Sequence, residues 1–96
     1  MRECGMTRVF ANPGSTEIAF LTDLPDDLQF VLALHEGSVV GMATGYAIAT
    51  GEPAFVNLHT TAGLGNAVGA LENLLHLVVP KFCLHETLLL RMRMRL

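Results

Sequence analysis

The sequence predicts an α/β fold of three layers, a parallel β-sheet flanked by helices. Three observations predict it. Short β-prone or wholly apolar runs recur along the chain, each is followed by a glycine-bearing loop, and each loop leads into a helical stretch. This strand–loop–helix alternation occurs three times, the pattern of parallel strands joined by crossovers. With 96 residues, 51% of them hydrophobic and 16% charged, the chain amounts to one small domain with a modest core.

The elements follow in order. Residues 7–11, "TRVFA", form a β-prone run closed by "NPGS", a cluster that stops regular structure. Ser15 is placed to cap the next segment, in which Ile18, Phe20, Leu21 and Leu24 recur at roughly helical spacing until "PDD" breaks it. Residues 29–34, "QFVLAL", are continuous and apolar, as expected of a strand covered on both faces. His35 and Glu36 end that run. A helix over residues 37–50 is rich in small residues, among them Gly41, Ala43, Gly45, Ala47 and Ala49. Glycine has poor helix propensity, so these faces are expected to serve close packing. Gly51 then suits a helix C-terminus, and Pro53 forbids continuation. Residues 54–58, "AFVNL", predict a third strand, "HTTAGLGN" its loop, and residues 67–77 a third helix. Beyond Pro80, "KFCL" fits a fourth strand, whereas "ETLLLRMRMRL" suits either state.

Charge is unevenly placed. Residues 1–80 hold Arg2 and Arg8 against eight acidic side chains, and residues 81–96 hold Lys81, Arg91, Arg93 and Arg95 against Glu86. A basic end can attract phosphate or anionic lipid, but four cations in sixteen residues fit a solvated tail better. No nucleic-acid or membrane partner is expected. The longest nearly uncharged apolar run, residues 74–79, is too short to span a bilayer, and the N-terminus lacks the apolar core of a signal peptide. Cys4 and Cys83 are too few for a disulfide framework and match no zinc-ligand spacing. A reducing cytoplasm is the expected compartment, without a metal site built by this chain.

In an open parallel sheet, ligands bind outside the carboxyl ends of the strands. "NPGS", "HE" and "HTTAG" all fall at such ends, which makes Asn12, Ser15, Glu36 and His59 candidates to line one cleft. Glu36 has two readings. A carboxylate at a helix N-terminus is stabilised by the macrodipole, by roughly 0.3–1 kcal/mol; alternatively, apolar neighbours desolvate it and equip it to exchange a proton with a ligand nitrogen. His59 is either a histidine bonded to loop backbone or a proton-handling group at the cleft edge. "GLGNAVG" resembles a dinucleotide-binding glycine loop, but its third glycine is displaced by one position from the GxGxxG fingerprint.

Taken together, "VFANPGSTEIAFL", "LHEGSVVGMATGYA" and "PAFVNLHTTAGLGNAVGALEN" resemble the N-terminal pyrimidine-binding domain of thiamine-diphosphate-dependent enzymes. Within that family the similarity is to the benzoylformate decarboxylases, and it covers residues 1–73. The resemblance implies a truncated thiamine-diphosphate-binding fold, with residues 1–80 as a partial domain and residues 81–96 as a divergent basic tail.

It further implies that Glu36 hydrogen-bonds N1′ of the cofactor's aminopyrimidine, with Asn12 and Pro13 beside it. By the same resemblance, Ser15 orients the carboxylate of a small 2-keto acid and His59 handles protons. His35 stands where the family pattern has glutamine. No Gly-Asp-Gly occurs in the chain, so the diphosphate and its magnesium are expected to be held by the diphosphate-binding domain of a related subunit. Alone, the chain is expected to bind the cofactor weakly and to catalyse nothing measurable. Two other readings remain: a non-enzymatic module that docks on a full-length relative, and a nucleotide-binding fragment.

Overall fold

The computed structural model describes residues 1–75, 82–86 and 91–92. Its sheet has the order β2-β1-β3-β4-β5, built from β1 (Arg8–Ala11), β2 (Gln29–Leu32), β3 (Ala54–Leu58), β4 (Phe82–Glu86) and β5 (Arg91–Met92). The first four strands are mutually parallel and β5 runs antiparallel to β4. A 3-10 turn at Ser15–Glu17 leads into the short α1 (Ile18–Thr22); α2 (Glu36–Thr50) and α3 (Thr60–Leu75) are the two long helices.

Alternation along the strands sends side chains to two faces. On one face, Phe10, Val56 and Leu58 pack with Val39, Val40, Ala43 and Ala47 of α2 and with Ala67 and Leu74 of α3. On the other, Val9 and Phe55 pack with Met6, flanked by Met1, Leu24 and Phe30. Phe20 of α1 also meets Phe55 there, ring centroids 6.2 Å apart. Helices therefore lie on both faces, as the alternation predicts, although the α1 layer is thin.

Four expectations need correction. β2 occupies the sheet edge and is half exposed rather than covered on both faces; its strand ends at Leu32, and Leu34 is 84% exposed. Apolar content cannot distinguish an edge from a centre when β1 takes the central place between β2 and β3. The third helix begins at Thr60, seven residues before the expected start, so "TTAGLGN" is helical rather than loop. Its glycines suggested a loop, yet burial of Gly63 and Ala67 against the sheet overrides their low propensity. The expected end of this helix at residue 77 lies outside the described residues. In α2, close packing is carried by Ala43 and Ala47, whereas Gly41 and Gly45 are exposed with open space where a Cβ would stand. Finally, Ser15 makes no capping bond; the Glu17 carboxylate instead accepts from the N–H of Gly14 at 2.7 Å.

Beyond β3, Phe82 to Glu86 join the sheet in register with β3, residue by residue, so "FCL" of the expected fourth strand is a strand. Residues 76–81, 87–90 and 93–96 of the tail lie outside the described residues. Among the described residues, no helix is long and apolar enough to cross a membrane.

Candidate functional site at the carboxyl edge

Strand register brings the candidate residues to one edge. Ala11, the last residue of β1, lies opposite Leu32 of β2 and Asn57 of β3, so the loops after all three strands open side by side. β1 is flanked by strands reached in opposite directions, which makes its carboxyl end a topological switch point.

Glu36 is the first residue of α2 and is only 6% exposed. Its Oε1 accepts from the Asn12 side-chain amide at 3.3 Å and its Oε2 from that of Asn66 at 3.2 Å. Both bonds are at or beyond the long end of the usual range. A carboxylate offers about four acceptor sites, so capacity remains for a further donor. Gly63 stands beside it: a Cβ there would meet Glu36 Cγ and Oε1 at 3.4 Å. α2 is capped by His35, whose extended backbone lets Nδ1 accept from the N–H of Gly37 at 3.0 Å. This is what the histidine at that position does locally.

A second cluster adjoins the first. The His59 ring lies against Glu17, with Nδ1 at 2.8 Å from Oε2 and 3.0 Å from Oε1. Glu17 is 1% exposed and also accepts from the Thr16 hydroxyl at 2.8 Å. The ring sits over Gly14, where a Cβ would stand 2.5 Å from both ring nitrogens. Only glycine leaves room for it. Just after His59, Thr60 adopts φ 52°, a conformation costly for a β-branched residue, and the His59 carbonyl accepts from the N–H of Gly63 at 2.7 Å. Gly63 thus joins the His59 turn to Glu36, and the Asn12–Gly14 loop touches both clusters.

Of the residues singled out in the sequence, Asn12 and Glu36 are in contact and His59 lies one turn away; Pro13 is half-buried between the two clusters, and Ser15 is exposed. Sequence reasoning missed Glu17 and Asn66. No sequence signal marks the first, because Gly14, three residues before it, has no side chain to complete a capping box. Asn66 falls within the expected loop "HTTAGLGN", and only the early start of α3 turns its amide toward Glu36. The glycines of "GLGNAVG" lie within α3 rather than ahead of it. Among the described residues, no group of three or more His, Cys, Asp or Glu side chains is placed to hold a metal ion.

An α/β domain with a shielded carboxylate and a carboxylate–imidazole pair at its switch point has the organisation of a ligand-binding domain. The comparisons with known proteins then define the family. Residues 1–82 match the model of the thiamine pyrophosphate enzyme N-terminal TPP-binding domain, and the chain belongs to that family. It is 60% identical over 73 residues to benzoylformate decarboxylase of Pseudomonas aeruginosa, spanning 76% of this chain and 14% of the relative. Among solved structures it resembles the thiamine diphosphate-dependent 4-hydroxybenzoylformate decarboxylase of Rhodococcus jostii RHA1 at 49% identity and TM-score 0.83, covering 88% of this chain and 16% of that one. Benzoylformate decarboxylase from Polynucleobacter necessarius gives 53% identity and TM-score 0.69, covering 73% and 13%. The chain thus spans about a seventh of the length of the relatives it matches.

Proposed function

We propose that this chain supplies the pyrimidine-binding side of a thiamine-diphosphate site in an enzyme of the benzoylformate decarboxylase type, acting on a small 2-keto acid. The observation that carries this reading is Glu36, a shielded carboxylate held by two long amide hydrogen bonds with acceptor capacity to spare. That donor set fits a ring nitrogen that must share a proton. Asn12 and Asn66 fix the carboxyl group from both sides, Gly63 allows close approach, and the α2 N-terminus favours its charge. Pro13 stiffens the loop that carries Asn12.

When bound, the cofactor supplies the electron sink for cleaving the bond to a carboxylate. The chain's own residues bind and move protons around it. Glu36 holds or releases a proton at its carboxyl oxygen, Ser15 offers a hydroxyl to the substrate carboxylate, and His59 moves a proton at Nε2. Diphosphate and magnesium are held, in this reading, by the diphosphate-binding domain of a related subunit in a cytoplasmic oligomer. In the same reading, residues 1–80 form the binding module and residues 81–96 a divergent basic tail.

A thermal melt followed by far-UV circular dichroism, with and without millimolar thiamine diphosphate and magnesium, tests the proposal. The midpoint is expected to rise with cofactor, by about 1.4 kcal/mol of stabilisation at ten times Kd. Glu36→Gln should melt cooperatively and lose that rise. A cooperative wild-type melt that ignores the cofactor, both alone and with the diphosphate-binding domain of a benzoylformate decarboxylase added, overturns the reading.

A further inference from the structure

We propose that Glu17 is the positioning residue of His59: it fixes the ring's tautomer and aim, so that Nδ1 is committed inward and Nε2 is the nitrogen offered at the carboxyl edge of the sheet. The inference rests on the reading of His59 as a proton-handling group and deepens it. Glu17 is 1% exposed, whereas the His59 side chain is 31% exposed, so the pair spans from core to edge.

The direction of each proton follows from the donors available. An ionised carboxylate only accepts, and Glu17 receives the N–H of Gly14 and the hydroxyl proton of Thr16. A hydroxyl has one proton. Once Thr16 has given it to Glu17 Oε1, its oxygen, 3.2 Å from His59 Nδ1, can only accept from that nitrogen. Both neighbours of Nδ1 are thus acceptors, and Nδ1 must carry the proton. Nε2 has no hydrogen-bond partner among the described residues, so in the neutral ring it keeps its lone pair.

Position is fixed as firmly as protonation. Gly14, lacking a Cβ, lets the ring lie flat on the loop, and rotation of the ring would leave a buried carboxylate without one of its donors. A carboxylate on one imidazole nitrogen fixes the tautomer and the orientation of the ring.

Long-range proton–nitrogen correlation spectra of the histidine-labelled full chain, without cofactor and at alkaline pH, read the tautomer directly. The His59 signals are assigned by their loss in His59→Asn. Wild type should show a protonated Nδ1 and a bare Nε2, the reverse of the preference of the free histidine side chain. Glu17→Gln keeps an acceptor oxygen and should retain that pattern, while Glu17→Met removes it and should invert the pattern toward Nε2–H. A wild-type ring that is mainly Nε2–H overturns the proposal whether or not the variants fold, as does a folded Glu17→Met chain with an unchanged pattern. Because no cofactor is present, this result stands apart from the melt: a cofactor-blind melt removes the proposed function and leaves the tautomer assignment intact.

Discussion

At the scale of single residues, the site depends on side chains whose neighbours are small. Gly14→Ala would drive a methyl into the His59 ring, which must leave Glu17 or push the loop away. Overpacking of this kind costs typically 1–3 kcal/mol. The variant is expected to melt lower than wild type and to lose the Nδ1–H signature of His59; an unshifted melt with that signature retained would show that the loop yields freely. Arg2 and Asp27 provide a contrasting surface case. Their bidentate contact, 2.7 and 2.6 Å, holds the Asp27 carboxyl below its ordinary value, chiefly through the Arg2 hydrogen bonds. The folded value is the lower one, so whatever stability the pair adds is present above about pH 4 and is lost as pH falls through the depressed value. Both side chains are well exposed, at 62% and 59%, and the contribution is small and screened by salt. Arg2→Met should therefore melt slightly below wild type at neutral pH and low salt, and together with it near pH 2. Glu36, Asn12 and His59 were legible because unusual residue types stood at strand ends. Glu17 was not, since a glutamate beside Ser15 and Thr16 looks like solvated loop until β3 brings His59 over it.

At the scale of elements, what the sequence concealed was where small residues are used. Strand–loop–helix periodicity located all three early strands, and the "NPGS" loop after the first, because apolar runs and glycine breaks are local signals. It misplaced the start of α3 because helix propensity is also local, while burial of Gly63 and Ala67 against the sheet is not. α2 shows the other side of the same point. Ala43 and Ala47 are fully buried, so enlarging them would overpack the core. Gly41 and Gly45 have nothing within 4 Å of a Cβ and ordinary helical backbone, so they bring only the entropic cost of glycine. In this chain, Gly41→Ala and Gly45→Ala are each expected to stabilise by about 0.5–1 kcal/mol. For a domain of this size that is a rise of roughly 2–8 °C in the melting midpoint. A fall in either variant would mean that the exposed face of α2 is packed in solution, contrary to its surroundings here.

At the scale of the whole molecule, one apolar cluster supports both the fold and the site. Leu58, Val56, Val39 and Val40 are fully buried in the cluster beneath α2 and α3, and removing a side chain of this size from water is worth roughly 1.5–3 kcal/mol. The cluster on the opposite face is smaller, and α1, which helps to cover it, has five residues. Edge position explains the remaining weakness of β2, a feature no apolar run reveals. Native domains have only about 5–15 kcal/mol in hand, so this chain cannot lose much from its larger cluster. Leu58→Ala should cost about 2–5 kcal/mol, whereas Ile18→Ala, at a 61% exposed position, should stay within about 0.5 kcal/mol. Leu58 precedes His59 directly, and its carbonyl carbon is one of the atoms nearest to a Cβ placed on Gly63, which also stands against Glu36. Loss of the Leu58 side chain should therefore abolish the cofactor-dependent rise together with the cooperative melt, as one event. Urea titrations followed by circular dichroism and by the His59 signals decide this. Coincident transitions would show that site and core are a single cooperative unit, and a His59 transition well ahead of the loss of helix would show that the carboxyl edge opens on its own.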